Sequence, residues 1–415
     1  MIQLPRVQLS MGKEKTRSGL LPEYNLSTTI ILMIILFFTP LAGGTEQGVS
    51  VWVVHILVLI LLLLWAGEIA ERKRMCLPRT YLVRTYLDYP IFCFAILSIL
   101  SALFSISPQK SFWTLWNFFD YIALYYIVVN KVAIKDRAQV NLIIYTIITA
   151  GSLAALFGLL KYLGASAPIL GFTYYNPNPF GGYLSMVILI ALVMIVLTRD
   201  LGKRLLIGYG ICLMFIAFIL TLSRGGWVSF IFALLLMAFL HQHKFGVLHG
   251  KALVSILPVV AVIFLFSAIF GYVNVKNEVI GLFNKNRIES VSGRVPIWKG
   301  TLEIIRAYPL LGAGPGTFPL LCERYVNKSI GGGDLRDKYA HNEYLQTMSE
   351  WGIFSLGIIL WIQTVFFSQF SKGILRRTHS FPSFSGLEYV GACWPSRSIL
   401  WPSLPFTQWL MQSFV

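Results

Sequence analysis

The sequence predicts an all-α, polytopic integral membrane bundle, and three observations predict it. Hydrophobic residues make up 56% of the 415 positions and charged residues only 13%, with a mean hydropathy of +0.70, which is too apolar for a set of soluble domains. The apolar residues gather into about ten runs near the length that crosses a bilayer as a helix. Lys and Arg cluster in alternate loops between those runs, as retention on the cytoplasmic side requires.

Residues 1–26 are basic and polar and lead into an apolar run without a small-residue cleavage site. They read as a cytoplasmic tail, and the run as a retained span rather than a signal peptide. Spans are expected near 27–44, 50–70, 90–107, 115–130, 140–162, 182–198, 205–222, 226–240 and 252–271, nine in a bundle over 27–271, with a tenth near 351–369. Basic residues mark one side: Arg6 to Arg17, Arg72 to Arg84, Lys131 to Arg137, Arg199 to Arg204, Lys244 and Lys251, then Lys372 to Arg377. The opposite loops hold only Lys110 and Arg224 before the long segment 272–350, which carries ten basic and eight acidic residues. That pattern places the N-terminus in the cytoplasm and 272–350 outside. The net charge of +16 is accounted for by topology, so nucleic acid is not an expected partner. Five scattered cysteines give neither a disulfide framework nor a zinc site, and His241, His243 and His249 read as a solvated loop.

Three outward features carry the polar chemistry. Asn176 and Asn178 stand in a turn rich in Pro and Gly before the sixth span. The stretch Thr221-Leu-Ser-Arg-Gly-Gly-Trp227 is a tight break between two apolar helices, where Arg224 is costly unless it faces a cavity or an anion. The third is 272–350 itself. There a helix over 295–307 is expected along the interface, with Ile297, Leu302 and Ile305 on its apolar face and an end by Pro309. Arg294 precedes that helix, and two guanidiniums together suit a diphosphate. The turn Gly312-Ala-Gly-Pro-Gly316 lacks the Lys-Ser or Lys-Thr of a nucleotide-binding loop, and a plain turn is the simpler reading. His341 opens the last span, with Asn342, Gln346 and Ser349 at helical spacing. It reads either as a general base for a hydroxyl or as a helix-start histidine, and spacing does not separate the two.

The order of Asn-Pro-Asn at 176–178, Ser-Arg-Gly at 223–225, Gly-Arg-Val-Pro-Ile-Trp at 293–298, Pro-Leu-Leu-Gly-Ala-Gly-Pro-Gly-Thr-Phe at 309–318 and His-Asn-Glu-Tyr-Leu-Gln at 341–346 resembles the O-antigen ligase family over roughly 90–365. The resemblance implies a bundle similar to the metal-independent glycosyltransferases that use lipid-linked donors, with no cofactor, in the bacterial cytoplasmic membrane with the large loop in the periplasm. It implies that Arg224 and Arg294 hold the diphosphate of an undecaprenyl-linked glycan and that His341 activates an acceptor hydroxyl. Asn176, Asn178, Asn342 and Gln346 would line the substrate site. The partners would be that donor, a lipid or saccharide acceptor, and the surrounding lipid.

Family members continue with further apolar spans, whereas residues 370–415 turn rich in Ser, Pro, Trp and Arg. Of two accounts, a divergent tail or a shifted reading frame that deprives the product of its last spans, the shifted frame is the expectation, because a permissible back-translation of 403–411 read one base earlier gives Leu-Ala-Leu-His-Ser-Met-Val-Asp, and the stretch before it can likewise become an apolar run. Two other functions remain open beside glycan transfer, a transporter of a small anion such as bicarbonate and an inactive remnant of a frameshifted gene.

Overall fold

Proline, glycine and short polar links divide the apolar sequence into helices and no strands among the described residues. The computed structural model describes residues 20–42, 48–74, 83–132, 137–164, 177–245, 294–329 and 339–375. In chain order the helices are α1 (Leu20–Leu41), α2 (Val49–Arg74), α3 (Asp88–Leu103), α4 (Pro108–Ile127, extended by a π-helical turn Val128–Val132), α5 (Arg137–Gly164), α6 (Pro177–Leu197), α7 (Leu201–Leu220), α8 (Arg224–Phe245), α9 (Arg294–Ala307), α10 (Phe318–Ser329), α11 (Glu343–Trp351) and α12 (Ile353–Leu375).

Among the described residues, six stretches are long and apolar enough to cross a membrane: Val49–Glu71, Pro108–Val132, Ala138–Gly164, Pro177–Leu197, Leu201–Leu220 and Ile353–Ser371. The chain is a multi-pass membrane protein. Six of the ten expected spans correspond to these stretches. Leu26–Leu41, Asp88–Leu103 and Gly225–Met237 are apolar but shorter, and 252–271 lies outside the described residues, as do 1–19 and the atypical tail beyond 375. The third run was read through to 107, yet α3 stops at Leu103 because Ser105 to Ser107 form the link and Pro108 opens α4.

α5 is the hub of the packing, touching α1, α6 and α7. Lipid gives helices no hydrophobic reason to associate, so close approach between small residues does that work. Ala150, Ala154 and Ala155 of α5 are fully buried. A methyl group added at Gly151 would lie 2.9 Å from Val187, and one at Gly210 of α7 would press on Ser152. Around them Phe180, Leu184, Ile188, Met214, Phe218 and Phe230 close the α5–α8 core. A second core joins α1, α2 and α4 through Leu32, Ile35, Val58, Leu61, Leu124 and Ile127. Two ionisable pairs cross it: the Glu68 carboxylate with the Lys131 ammonium, and Asp120 with Nδ1 of His55. Lys131, read as a loop cation, is instead 7% exposed and paired, because the π-helical turn carries α4 beyond the expected end of its span.

Outside these cores α9, α10 and α11 pack on one another through Ile297, Ile304, Phe318, Leu321 and Ala340. This small layer meets the bundle where α3, α4 and α12 converge, with Trp351 against Phe94, Leu97 and Phe118. The α9 helix forms as expected, beginning at Arg294. Ile297, Gly300, Thr301 and Ile304 are buried while Leu302 is 44% exposed, because residues three and four apart share a helix face and Leu302 falls off that stripe.

Candidate active site

Two chain segments run past each other in opposite directions at the junction of the small layer with the bundle. The Ile353 N–H donates to the Pro309 carbonyl at 2.9 Å, Ala313 to Ser349 at 2.9 Å and Gly314 to Glu350 at 3.0 Å. Glycine makes this seam possible, since a Cβ at Gly312 (φ +71°) would fall within the Glu350 and Trp351 backbone, and one at Gly352 (φ +80°) on the Leu310 carbonyl. The α3–α4 hairpin fastens the seam from the side. Ser101 Oγ donates to the Glu350 carbonyl at 2.9 Å, Ser111 Oγ to Pro315 at 3.0 Å, and the Trp351 indole to Ser98 Oγ at 3.0 Å.

The Glu350 carboxyl is the centre of the turn. Its Oε2 accepts the Gly316 N–H at 2.7 Å and its Oε1 the Phe318 N–H at 3.2 Å, the latter at the start of α10. The donors that could have cradled a phosphate are therefore taken by the protein's own carboxylate. The reading of Gly312–Gly316 as a structural turn agrees with this, and its physical reason is now visible.

Beside the seam, His341 stands in the left-handed region at φ +53°. This corrects its expected place as the opening of the last span. Asn342 caps a separate helix, its Oδ1 accepting from Tyr344 N–H at 3.1 Å and Leu345 N–H at 3.2 Å. Gly352 then divides α11 from α12. Gln346 is buried and uses its Oε1 to accept the Ala340 N–H at 2.9 Å, while Ser349, also buried, bonds back to the Gln346 carbonyl. Trp298 of α9 donates its indole N–H to the Ala340 carbonyl at 3.0 Å.

The described packing joins the expected site residues in two groups. Arg294 is exposed at the first position of α9 and, through Trp298, its helix meets the segment of His341, Asn342 and Gln346. The other group lies among α6, α7 and α8. A Cβ at Gly181 would come 2.9 Å from Thr221 Oγ1 and 3.2 Å from Ser223 Cβ, so the turn that opens α6 abuts the break ahead of Arg224. Leu222 in that break is left-handed at φ +52°. Asn178 is exposed in the first turn of α6, Arg224 is the first residue of α8, and Asn176 and the Arg224 side chain lie outside the described residues. Leu222 and His341 are the two left-handed non-glycine residues described, and each sits in one of these motifs.

Sequence reasoning missed Glu350 and Glu343. The available signal was that acids are scarce, 18 in 415 residues, and that one directly precedes Trp-Gly and an apolar run. Burial pushes the Glu350 carboxyl up to about 7, against its backbone bonds and the nearby Lys110 ammonium, which act to lower it. Burial, with repulsion from Glu350, pushes Glu343 up to about 8. A raised folded-state pKa means that the folded protein holds its protons more tightly than the unfolded chain. The stabilisation is complete below the ordinary carboxyl value of 4.5 and is lost as pH rises through about 7 and 8. The thermal midpoint of the detergent-solubilised protein should accordingly fall from pH 5 to pH 8.5, and Glu343→Gln should flatten the upper part of that fall. An unchanged slope in the variant would show that these carboxyls do not control it.

The family model described as O-antigen ligase matches residues 209–362, from within α7 into α12. No curated protein matches the chain.

Proposed function

We propose, on the match of residues 209–362 to the family model described as O-antigen ligase, that the protein transfers a glycan from an undecaprenyl-diphosphate carrier to a hydroxyl of a lipid core or another sugar, at the outer face of the bacterial inner membrane. The observation that carries this reading is the bond from Trp298 to the Ala340 carbonyl. It ties the helix that begins at Arg294 to the segment that presents His341.

Arg294 and Arg224 hold the diphosphate, each guanidinium offering a planar fork to phosphate oxygens. His341 takes the proton of the acceptor hydroxyl as its oxygen attacks the anomeric carbon. The bond from that carbon to the diphosphate oxygen breaks with inversion, and the electron pair leaves on the diphosphate, where the arginines stabilise it. In this reading arginines, rather than a metal ion, balance the leaving charge.

The test is deletion in the native host, followed by complementation with wild type, His341→Ala and Arg294→Ala. Wild type should restore the surface glycan and clear accumulated lipid-linked precursor. Each variant should lower transfer by at least about 100-fold, the usual scale for losing a general base or a charge-stabilising donor. Normal glycan with a defect in bicarbonate uptake would overturn the transferase in favour of an anion transporter. Absence of any phenotype would identify an inactive remnant.

A further inference from the structure

His341 has a backbone conformation that a residue with a side chain adopts at a cost, so its neighbours must hold it there. They do so from both sides. The torsion φ of His341 turns about the bond that follows the Ala340–His341 peptide. The carbonyl of that peptide is bonded at 3.0 Å to the Trp298 indole. One peptide earlier, the Ala340 N–H is bonded at 2.9 Å to Gln346 Oε1. On the far side, the Asn342 carbonyl accepts the Gln346 N–H at 2.9 Å and its side chain caps α11. Ala340 itself is fully buried, so water does not replace either bond. Gln346 therefore reaches back over His341 while Trp298 reaches in from α9, and the direction of the His341 Cα–Cβ bond follows from the two.

Trp298 is also four residues from Arg294, one turn along the same helix face. A single rigid helix thus carries the cation at its first position and the indole that fixes the histidine's peptide.

We infer that Trp298 and Gln346 are positioning residues that hold His341 at a set distance and angle from Arg294. The inference deepens the transferase reading and rests on it. Gln346 acts through the Ala340 peptide, with its amide oxygen spent inside the protein rather than on substrate. The substitutions that isolate these roles are small. Trp298→Phe keeps an aromatic ring and removes the N–H donor. Gln346→Met keeps length and removes both the acceptor and the amide N–H that bonds the Glu350 carboxyl, while Gln346→Glu keeps the acceptor oxygen at the same reach and loses that N–H.

The full-length protein in native membranes is assayed in two ways. In transfer from a lipid-linked donor, Trp298→Phe and Gln346→Met should lower kcat by about 10- to 100-fold, the scale for a catalytic group misplaced by roughly 1 Å. Donor KM should stay near wild type, and Gln346→Glu, which keeps the acceptor but not the bond to Glu350, should recover part of the loss. In the second assay, diethyl pyrocarbonate modification of His341 is followed by peptide mass spectrometry. Its rate should rise in the first two variants and return toward wild type in Gln346→Glu. If both variants turn over like wild type while His341→Ala is inactive, the positioning role is overturned and the transferase stands. If wild-type membranes transfer nothing, the transferase reading fails and the labelling decides alone: unchanged rates in both variants overturn the clamp.

Discussion

Glu350→Ala should destabilise the protein by about 3 kcal/mol. The carboxyl is 3% exposed and satisfies two backbone donors, Gly316 and Phe318. Each donor left unpaired in the interior costs about 1–3 kcal/mol. Removing a carboxyl that burial already pushes up to about 7 returns part of that sum. Glu350→Gln should fall between, because its amide has one oxygen to accept with and presents N–H groups to the other donor. The comparison to make is denaturant or thermal unfolding of the three proteins in one detergent at pH 6. Equal midpoints for alanine and wild type would mean that the turn does not depend on the carboxyl.

Gly312→Ala should be at least as damaging, by about 3 kcal/mol or more, and for a different reason. A methyl group there has no side chain to displace. It would enter the backbone of Glu350 and Trp351, and relief requires opening the seam bonds from Ala313 to Ser349 and from Gly314 to Glu350. Gly352→Ala makes the reciprocal intrusion on Leu310 and should behave alike. Gly357 of α12 supplies the control, since nothing lies within 4 Å of a Cβ there and alanine favours a helix. Folded yield by size-exclusion chromatography should collapse for the first two and hold for Gly357→Ala. A normal yield for Gly312→Ala would contradict the close approach.

What could be read in advance was the part governed by hydropathy. The runs near 50–70, 140–162 and 205–222 are apolar almost throughout and became α2, α5 and α7. The start of α4 was placed seven residues late. Lys110, Ser111 and Thr114 break its hydropathy because that end faces the glycine turn instead of lipid, with Ser111 donating to Pro315. Pro177 and Pro179 likewise disguised the first turn of α6, where proline is tolerated because the first N–H groups have no helical partner. In the polar segment the motifs were visible but their connections were not. Gln346 sits at an ordinary helical interval from Asn342, and the N–H that it accepts belongs to Ala340, outside the helix. Glu350 serves donors 34 and 32 residues upstream, a pairing that no local pattern encodes.

The bond from the Trp351 indole to Ser98 and that from Ser101 to the Glu350 carbonyl close over sequence separations of 253 and 249 residues. During synthesis the α3–α4 hairpin is therefore made and inserted long before its partners leave the ribosome. Its hydroxyls and the later glycine turn must wait, without their final hydrogen bonds, until α11 has been delivered to the same face. A ribosome at about 5–20 residues per second takes on the order of 10–50 s over that interval. The seam at Gly312 and Gly352 is thus a late checkpoint of assembly, and a nascent chain that stalls before residue 343 would present quality-control proteases with an inserted but unclosed bundle.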